Sequence, residues 1–248
     1  GFLWTDRPLP EAIRAAQAAG FDAVECHWPY ATPPEAVAAA LSDTGLQMLG
    51  LNTRRGNVEG GENGLSALPG REAEARAAID EAIAYARRIG AQKVHVMAGF
   101  ASGAAAHRCF VDNLRYAAKA ASAVGITLLI EPLNRYNAPG YFLNTTSQAR
   151  DIIAEVGAEN LKLMFDCYHV QLMEGDLTHR LHDLAPLIGH IQFASVPDRG
   201  APDHGEINYA HMFKTIAEMG YADPLGAEYK PGGDTDATLG WLGWARRI

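Results

Sequence analysis

The chain alternates between two hydrophobic periods. Short apolar runs of strand character occur at FDAVEC (21–26), LQMLGLN (46–52), QKVHVMAG (92–99), TLLIEPLN (127–134), LKLMFDCYH (161–169), IGHIQFASV (188–196) and PLGAEYKP (224–231). Between them lie longer segments with apolar positions at helical spacing, over 8–20, 33–44, 70–90, 104–124, 145–156, about 170–186 and 208–219, and the tail has room for a short last helix. Prolines at 33 and 34 open one helix, and Gly45 and Gly90 stand where left-handed C-terminal caps belong. Strands that alternate with helices predict a parallel sheet with right-handed crossovers. The first helix has no strand ahead of it and the chain begins at Gly1 without a methionine, so an eighth strand is expected upstream of this numbering. The fold class is α/β, and an eight-fold (β/α) TIM barrel forming a single domain over 1–248 fits best, with a doubly wound open sheet as the alternative.

Four of the apolar runs close on an oxygen-bearing side chain: Glu131, Asp166, Gln192 and Glu228. A carboxylate at the end of a buried strand is costly unless it is protonated, hydrogen-bonded or bound to a cation. Each alone could serve a structural hydrogen bond. Four together, at strand ends that converge on one face of a barrel, predict a shared site, and hard oxygen donors suit Mg²⁺ or Mn²⁺ better than zinc or copper. Strand alternation puts His190, two before Gln192, and Lys230, two after Glu228, on the same faces as these residues, and His190 is expected to orient Gln192 from behind. His169 is expected to turn toward the same mouth, and Arg199 in the following Pro/Gly-rich loop to clamp a substrate carboxylate. Glu25 and His27 end another strand, where Glu25 can act as a structural acceptor, and His95 is expected in the barrel interior.

The segment 53–70, TRRGNVEGGENGLSALPG, is long for a strand-to-helix connection and is expected to act as a lid or binding loop, with Arg54 and Arg55 at its start to fix an anionic substrate. Its glycines do not follow a dinucleotide or P-loop spacing.

Composition narrows the classes further. The 248 residues carry a formal charge of −8 with acids and bases scattered, which disfavours nucleic-acid binding. No apolar run is long enough for a membrane span, and no basic region with an apolar run opens the chain. Three cysteines without paired spacing fit a reducing compartment, so the protein is read as cytoplasmic. Homo-oligomer formation is left open.

The segments IEPLN, FDCYHVQLMEGDL, GHIQFASVPDRG followed by HGEINY, GAEYKP, ALPGREAEARAAI and HVMAG resemble those of the hydroxypyruvate isomerase family, within the xylose-isomerase-like barrels. The resemblance implies a metal held by Glu131, Asp166, Gln192 and Glu228, proton transfer by Glu131 and Glu228, and isomerisation of a small hydroxy-keto acid through an enediolate. A ketose 3-epimerase or a dehydratase on the same barrel is the alternative. LNTRRGNVEGG and FASVPDR depart from the family's usual segments, and both face the substrate mouth in such barrels.

Overall fold

A computed structural model describes residues 1–247. Its elements run α1 (Leu9–Ala18), β1 (Ala23–Val24), α2 (Pro34–Thr44), β2 (Gln47–Met48), β3 (Gly50–Asn52), α3 (Glu72–Ile89), β4 (Lys93–His95), α4 (Gly103–Ser122), β5 (Thr127–Ile130), α5 (Thr146–Val156), β6 (Leu161–Asp166), α6 (Cys167–Met173), α7 (Leu177–Leu184), β7 (Ile188–Phe193), α8 (Tyr209–Glu218), β8 (Gly226–Ala227) and α9 (Leu242–Ala245). All strand pairs are parallel: β1 pairs with β2, and β3 through β8 form a six-stranded sheet in sequence order. Only Leu49 separates β2 from β3, and the ladder runs on through it, with Leu49 N–H donating to Val24 O at 2.7 Å and Cys26 N–H to Gly50 O at 3.1 Å. The seven strand segments read from the sequence are therefore the wall of the barrel. No described strand stands between β8 and β1; that side is lined by residues 1–4, and Trp4 is buried there with its backbone N–H on Thr235 Oγ1.

The helices form where local chemistry favours them. In α3 the first turn holds Glu72 and Glu74 and the last turn Arg87 and Arg88, which complements the helix dipole. A stripe of Ala75, Ala78, Ile79, Ala82, Ile83, Ala86 and Ile89 faces the sheet, and Gly90 closes the helix at φ 69°. Thr145 caps α5 by accepting from Gln148 N, while Gln148 Oε1 accepts from Asn144 N. The helical stretch expected over 170–186 is two helices. Between them Glu174 accepts from Thr146 N at 2.7 Å and pairs with Arg180 at 2.9 Å, and Asp176 turns at φ 52°.

Both ends of the segment 53–70 are hydrogen-bonded to the strand beside them. Thr53 N–H donates to His95 O, Thr53 Oγ1 accepts from Met97 N, Ala67 N–H donates to Ala98 O, and Gly64 bridges Ala98. Gly64 and Gly99 touch backbone to backbone. A Cβ on Gly99, at φ 95°, would sit 2.3 Å from Gly64 O. Gly99→Ala should therefore destabilise by about 3 kcal/mol, a Tm drop of roughly 6–12 °C for a chain of this size. Gly61→Ala, at φ 84° with open space around it, should cost about 1–2 kcal/mol from backbone strain alone. Thermal denaturation of the two variants checks this, and equal losses would contradict the contact.

Candidate active site

The four strand-end residues meet. Glu131 follows β5, Asp166 ends β6, Gln192 lies in β7 and Glu228 follows β8, and all four are buried. One ligand atom from each of Glu131, Asp166, Glu228 and His169 lies within 4.8 Å of all the others. Gln192 joins them through its amide, which donates from Nε2 to Glu25 Oε1 at 2.9 Å and approaches Glu228 Oε1 at 3.4 Å. Asp166 is placed by helix capping, because Oδ1 accepts from Tyr168 N at 2.9 Å at the start of α6. That same helix starts immediately after β6, and its first turn carries His169 back over the carboxylates.

Burial and crowding split the carboxyl groups. Glu131 is pushed well above the usual carboxylate range, by burial first and then by the nearby charges of Glu228 and Asp166. Burial, with a contribution from Glu228, raises Asp166 to about 7 against the lowering pull of Arg199. Burial would raise Glu228 too, but Arg199 and His27 outweigh it and hold this carboxyl below its ordinary range. His27 Nε2 lies 2.7 Å from Glu228 Oε1, and Arg199 bonds Glu228 Oε2 from the other side.

Arg199 reaches the cluster from a tightly braced turn. Its backbone adopts φ 59°, its N–H donates to Ser195 O, its carbonyl accepts from Lys230 N, and its guanidinium lies between the Phe2 and Tyr168 rings at 4.8 and 5.0 Å. Lys230 is exposed at the rim, 5.7 Å from the Phe2 centroid. His190 Nε2 lies 2.7 Å from Glu25 Oε2, so a His190–Glu25–Gln192 chain fixes the amide from behind. Arg54 and Arg55 follow β3 at the same end of the barrel; Arg54 is in an ion pair with Glu81, and Arg55 lies on the Trp28 ring.

The fit of a cation can be judged from unsatisfied atoms. Glu131 Oε1, Asp166 Oδ2 and Gln192 Oε1 are buried without a hydrogen-bond partner. Buried polar atoms are ordinarily paired, and three orphaned oxygens among crowded carboxyl groups are the donor set a hard divalent cation takes. His169 does not complete it. Its Nδ1 accepts from Asn134 N at 2.9 Å, and burial lowers its pKa to about 3, so the ring is neutral with its proton on Nε2. That nitrogen, 3.6 Å from Asp166 Oδ2 and 3.8 Å from Glu131 Oε1, presents a donor to the site rather than a lone pair. The residues present fit a divalent cation on Glu131, Asp166, Glu228 and the Gln192 carbonyl.

The sequence does not mark His27 as a partner of Glu228, and His95 lies in the barrel interior as its strand position implies. His95 is buried against the site, its Nδ1 3.6 Å from Glu131 Oε2 and both ring nitrogens unpaired, and burial lowers its pKa to about 4. Both histidines stand at strand ends, as the acids do, and that position was the available signal.

The model of the xylose isomerase-like TIM barrel family matches residues 13–243. The chain belongs to this family. Among its relatives in that family, the 2-oxo-tetronate isomerase of Cupriavidus necator is 44% identical over 97% of this chain and 94% of its own. The hydroxypyruvate isomerase of Escherichia coli K12 is 42% identical over 92% and 90%. The crystal structure of a protein named AP endonuclease, family 2, from Brucella melitensis superposes with a TM-score of 0.95 at 36% identity, covering 98% of this chain and 95% of the other. A solved L-ribulose 3-epimerase, at 22% identity and a TM-score of 0.82 over all of this chain and 92% of its own, shares the fold.

Proposed function

We propose that this xylose isomerase-like barrel is an isomerase that interconverts a small hydroxy-keto acid and its aldehyde isomer, of the hydroxypyruvate and tartronate semialdehyde kind. The observation that carries the reading is the pair Glu131 and Glu228, buried within 4.8 Å of one another beside the unpaired oxygens of Asp166 and Gln192. The relatives named as isomerases of hydroxypyruvate and 2-oxo-tetronate support it.

Isomerisation moves one proton from the hydroxyl-bearing carbon to the neighbouring carbonyl carbon, and a hydroxyl proton passes between their oxygens. Glu228, held ionised by Arg199 and His27, takes the carbon-bound proton. Glu131, in the same cluster, delivers a proton to the adjacent carbon, having taken it from the substrate hydroxyl or from solvent. In the reverse direction the roles exchange. A Mg²⁺ or Mn²⁺ held by Glu131, Asp166, Glu228 and Gln192 would supply positive charge against the negative charge that develops on the substrate oxygens. His169 Nε2–H donates to a substrate oxygen, Arg199 and Lys230 add positive charge at the mouth, and His190 keeps Gln192 oriented through Glu25.

The three free, buried cysteines are consistent with a reducing, cytoplasmic setting, and among the described residues no helix is long and apolar enough to cross a membrane. A nuclease reading, suggested by the name of one structural relative, finds a single compact cluster of four possible ligand residues among the described residues and a net charge of −8. The direct test is incubation with hydroxypyruvate and Mn²⁺ followed by proton NMR. Appearance of the aldehyde isomer is expected. Turnover of ketoses with no turnover of hydroxypyruvate would replace this reading by the epimerase alternative.

A further inference from the structure

We propose that Arg55 is the residue that selects an anionic substrate for this site: its guanidinium, laid on the Trp28 ring, receives the carboxylate at the non-reacting end of the substrate. This rests on the isomerase reading above and names the feature that separates an acid from a neutral ketose. Trp28 and Arg55 follow β1 and β3, so both stand at the end of the barrel that also carries Glu131, Asp166, Gln192 and Glu228. The contacts form a continuous line. Glu228 bonds His27 at 2.7 Å, the His27 and Trp28 rings are 5.0 Å apart, and Arg55 lies 4.7 Å from the Trp28 centroid.

The two adjacent arginines differ in what they already hold. Arg54 is exposed, binds Glu81 through Nε and Nη2, the latter at 2.8 Å, and stacks on Tyr30 at 4.4 Å. Arg55 is half-buried and, among the described residues, has no carboxylate within 4.0 Å; its Nε is buried with no acceptor. A buried donor left unpaired is costly until something supplies an acceptor. An arginine lying flat on an indole keeps its N–H edges free, and that fork matches a carboxylate. The backbone beneath it is fixed: Arg55 O accepts from Gly64 N at 2.8 Å, and Thr53 O accepts from Trp28 Nε1 at 3.2 Å. The cation is thus presented ready-placed, and no loop closure is needed to bring it in. In a chain of net charge −8, Arg55 adds a positive group that no described carboxylate holds, at the same end of the barrel as Arg199 and Lys230.

Steady-state kinetics on two three-carbon ketones separate the possibilities: hydroxypyruvate, and dihydroxyacetone, in which a hydroxymethyl group replaces the carboxylate. Arg55→Ala should raise KM for hydroxypyruvate by roughly 10–100-fold, as expected for a charge-assisted hydrogen bond. Its kcat should stay within a few-fold, and KM for dihydroxyacetone should hardly move. Arg55→Lys should recover part of the loss, because it restores charge without the fork. Arg54→Ala, which removes the Glu81 pair, should shift both substrates alike and by less than about threefold. An unchanged KM for hydroxypyruvate in Arg55→Ala, or equal losses on both ketones, overturns the proposal. Should the parent protein turn over neither ketone, the isomerase reading fails by itself. Calorimetric binding of glycerate then decides on Arg55, with weaker binding by Arg55→Ala expected and equal binding overturning it.

Discussion

Replacement of Glu131 or Glu228 by glutamine should each lower kcat by at least about 10² while the protein stays folded and keeps a divalent cation. Glutamine preserves size and one carbonyl oxygen, so metal affinity is weakened rather than lost, but it cannot accept or return a carbon-bound proton. The two variants should also differ in kind. Glu228 is engaged by His27 and Arg199, so Glu228→Gln leaves Arg199 short of a counter-charge beside the mouth. Glu131 has only longer approaches to His95 and His169, at 3.6 and 3.8 Å, and Glu131→Gln relieves acidic crowding. Glu131→Gln should therefore be the more stable of the two in the absence of metal. Stopped-assay rates together with thermal denaturation check both points, and turnover within a few-fold of the parent in both metal-loaded variants would remove the glutamates from proton transfer.

Removal of one charge from the cluster should weaken metal binding and so shrink the response to a fixed concentration of metal. Mn²⁺ at about 100 times its Kd stabilises a native state by about 2.7 kcal/mol, so chelator-treated protein should melt roughly 5–11 °C higher on its addition. Asp166→Asn keeps an oxygen for the Tyr168 N–H that caps α6 but loses the anion that a hard cation requires. The variant should fold and show a much smaller rise at the same Mn²⁺ concentration. A full shift in Asp166→Asn would take Asp166 out of the ligand set. The same titration on His169→Ala should retain most of the shift, because the Nδ1 bond from Asn134 leaves His169 Nε2 as a donor.

The parts of the site that could be read from the chain share one property: they lie within a strand or next to it. Glu131, Asp166, Gln192 and Glu228 could be found because each breaks an apolar run, and a parallel barrel then brings all strand ends together. His169 could be placed because a helix beginning directly after Asp166 returns its third residue to the same mouth. What could not be read depended on contacts between distant segments. His27 and Glu228 are 201 positions apart, and nothing local marks the histidine as the partner of that carboxylate. The difference between Arg54 and Arg55 is set by Glu81 on α3 and by Trp28 after β1, which lie outside the loop itself. The 53–70 segment looked mobile because glycine signals backbone freedom. Gly64 also permits a close approach to Gly99 that ties down the C-terminal part of the segment. The break in the helix over 170–186 is likewise tertiary, since Glu174 leaves the helical pattern to serve Thr146 and Arg180.

The most direct test of proton transfer by Glu131 and Glu228 is isotopic. Metal-loaded protein is allowed to interconvert hydroxypyruvate and its aldehyde isomer in D₂O for many turnovers, against a protein-free control, with deuterium followed by NMR and mass spectrometry. Carboxyl groups that take up a carbon-bound proton and return one exchange with solvent between the two steps at some frequency, so deuterium should accumulate at the carbons that gain and lose the proton. The accumulation should fall in step with activity in Glu228→Gln. Product and recovered substrate that remain free of carbon-bound deuterium after many turnovers would contradict proton transfer and point to a hydride shift, with the glutamates confined to holding the cation.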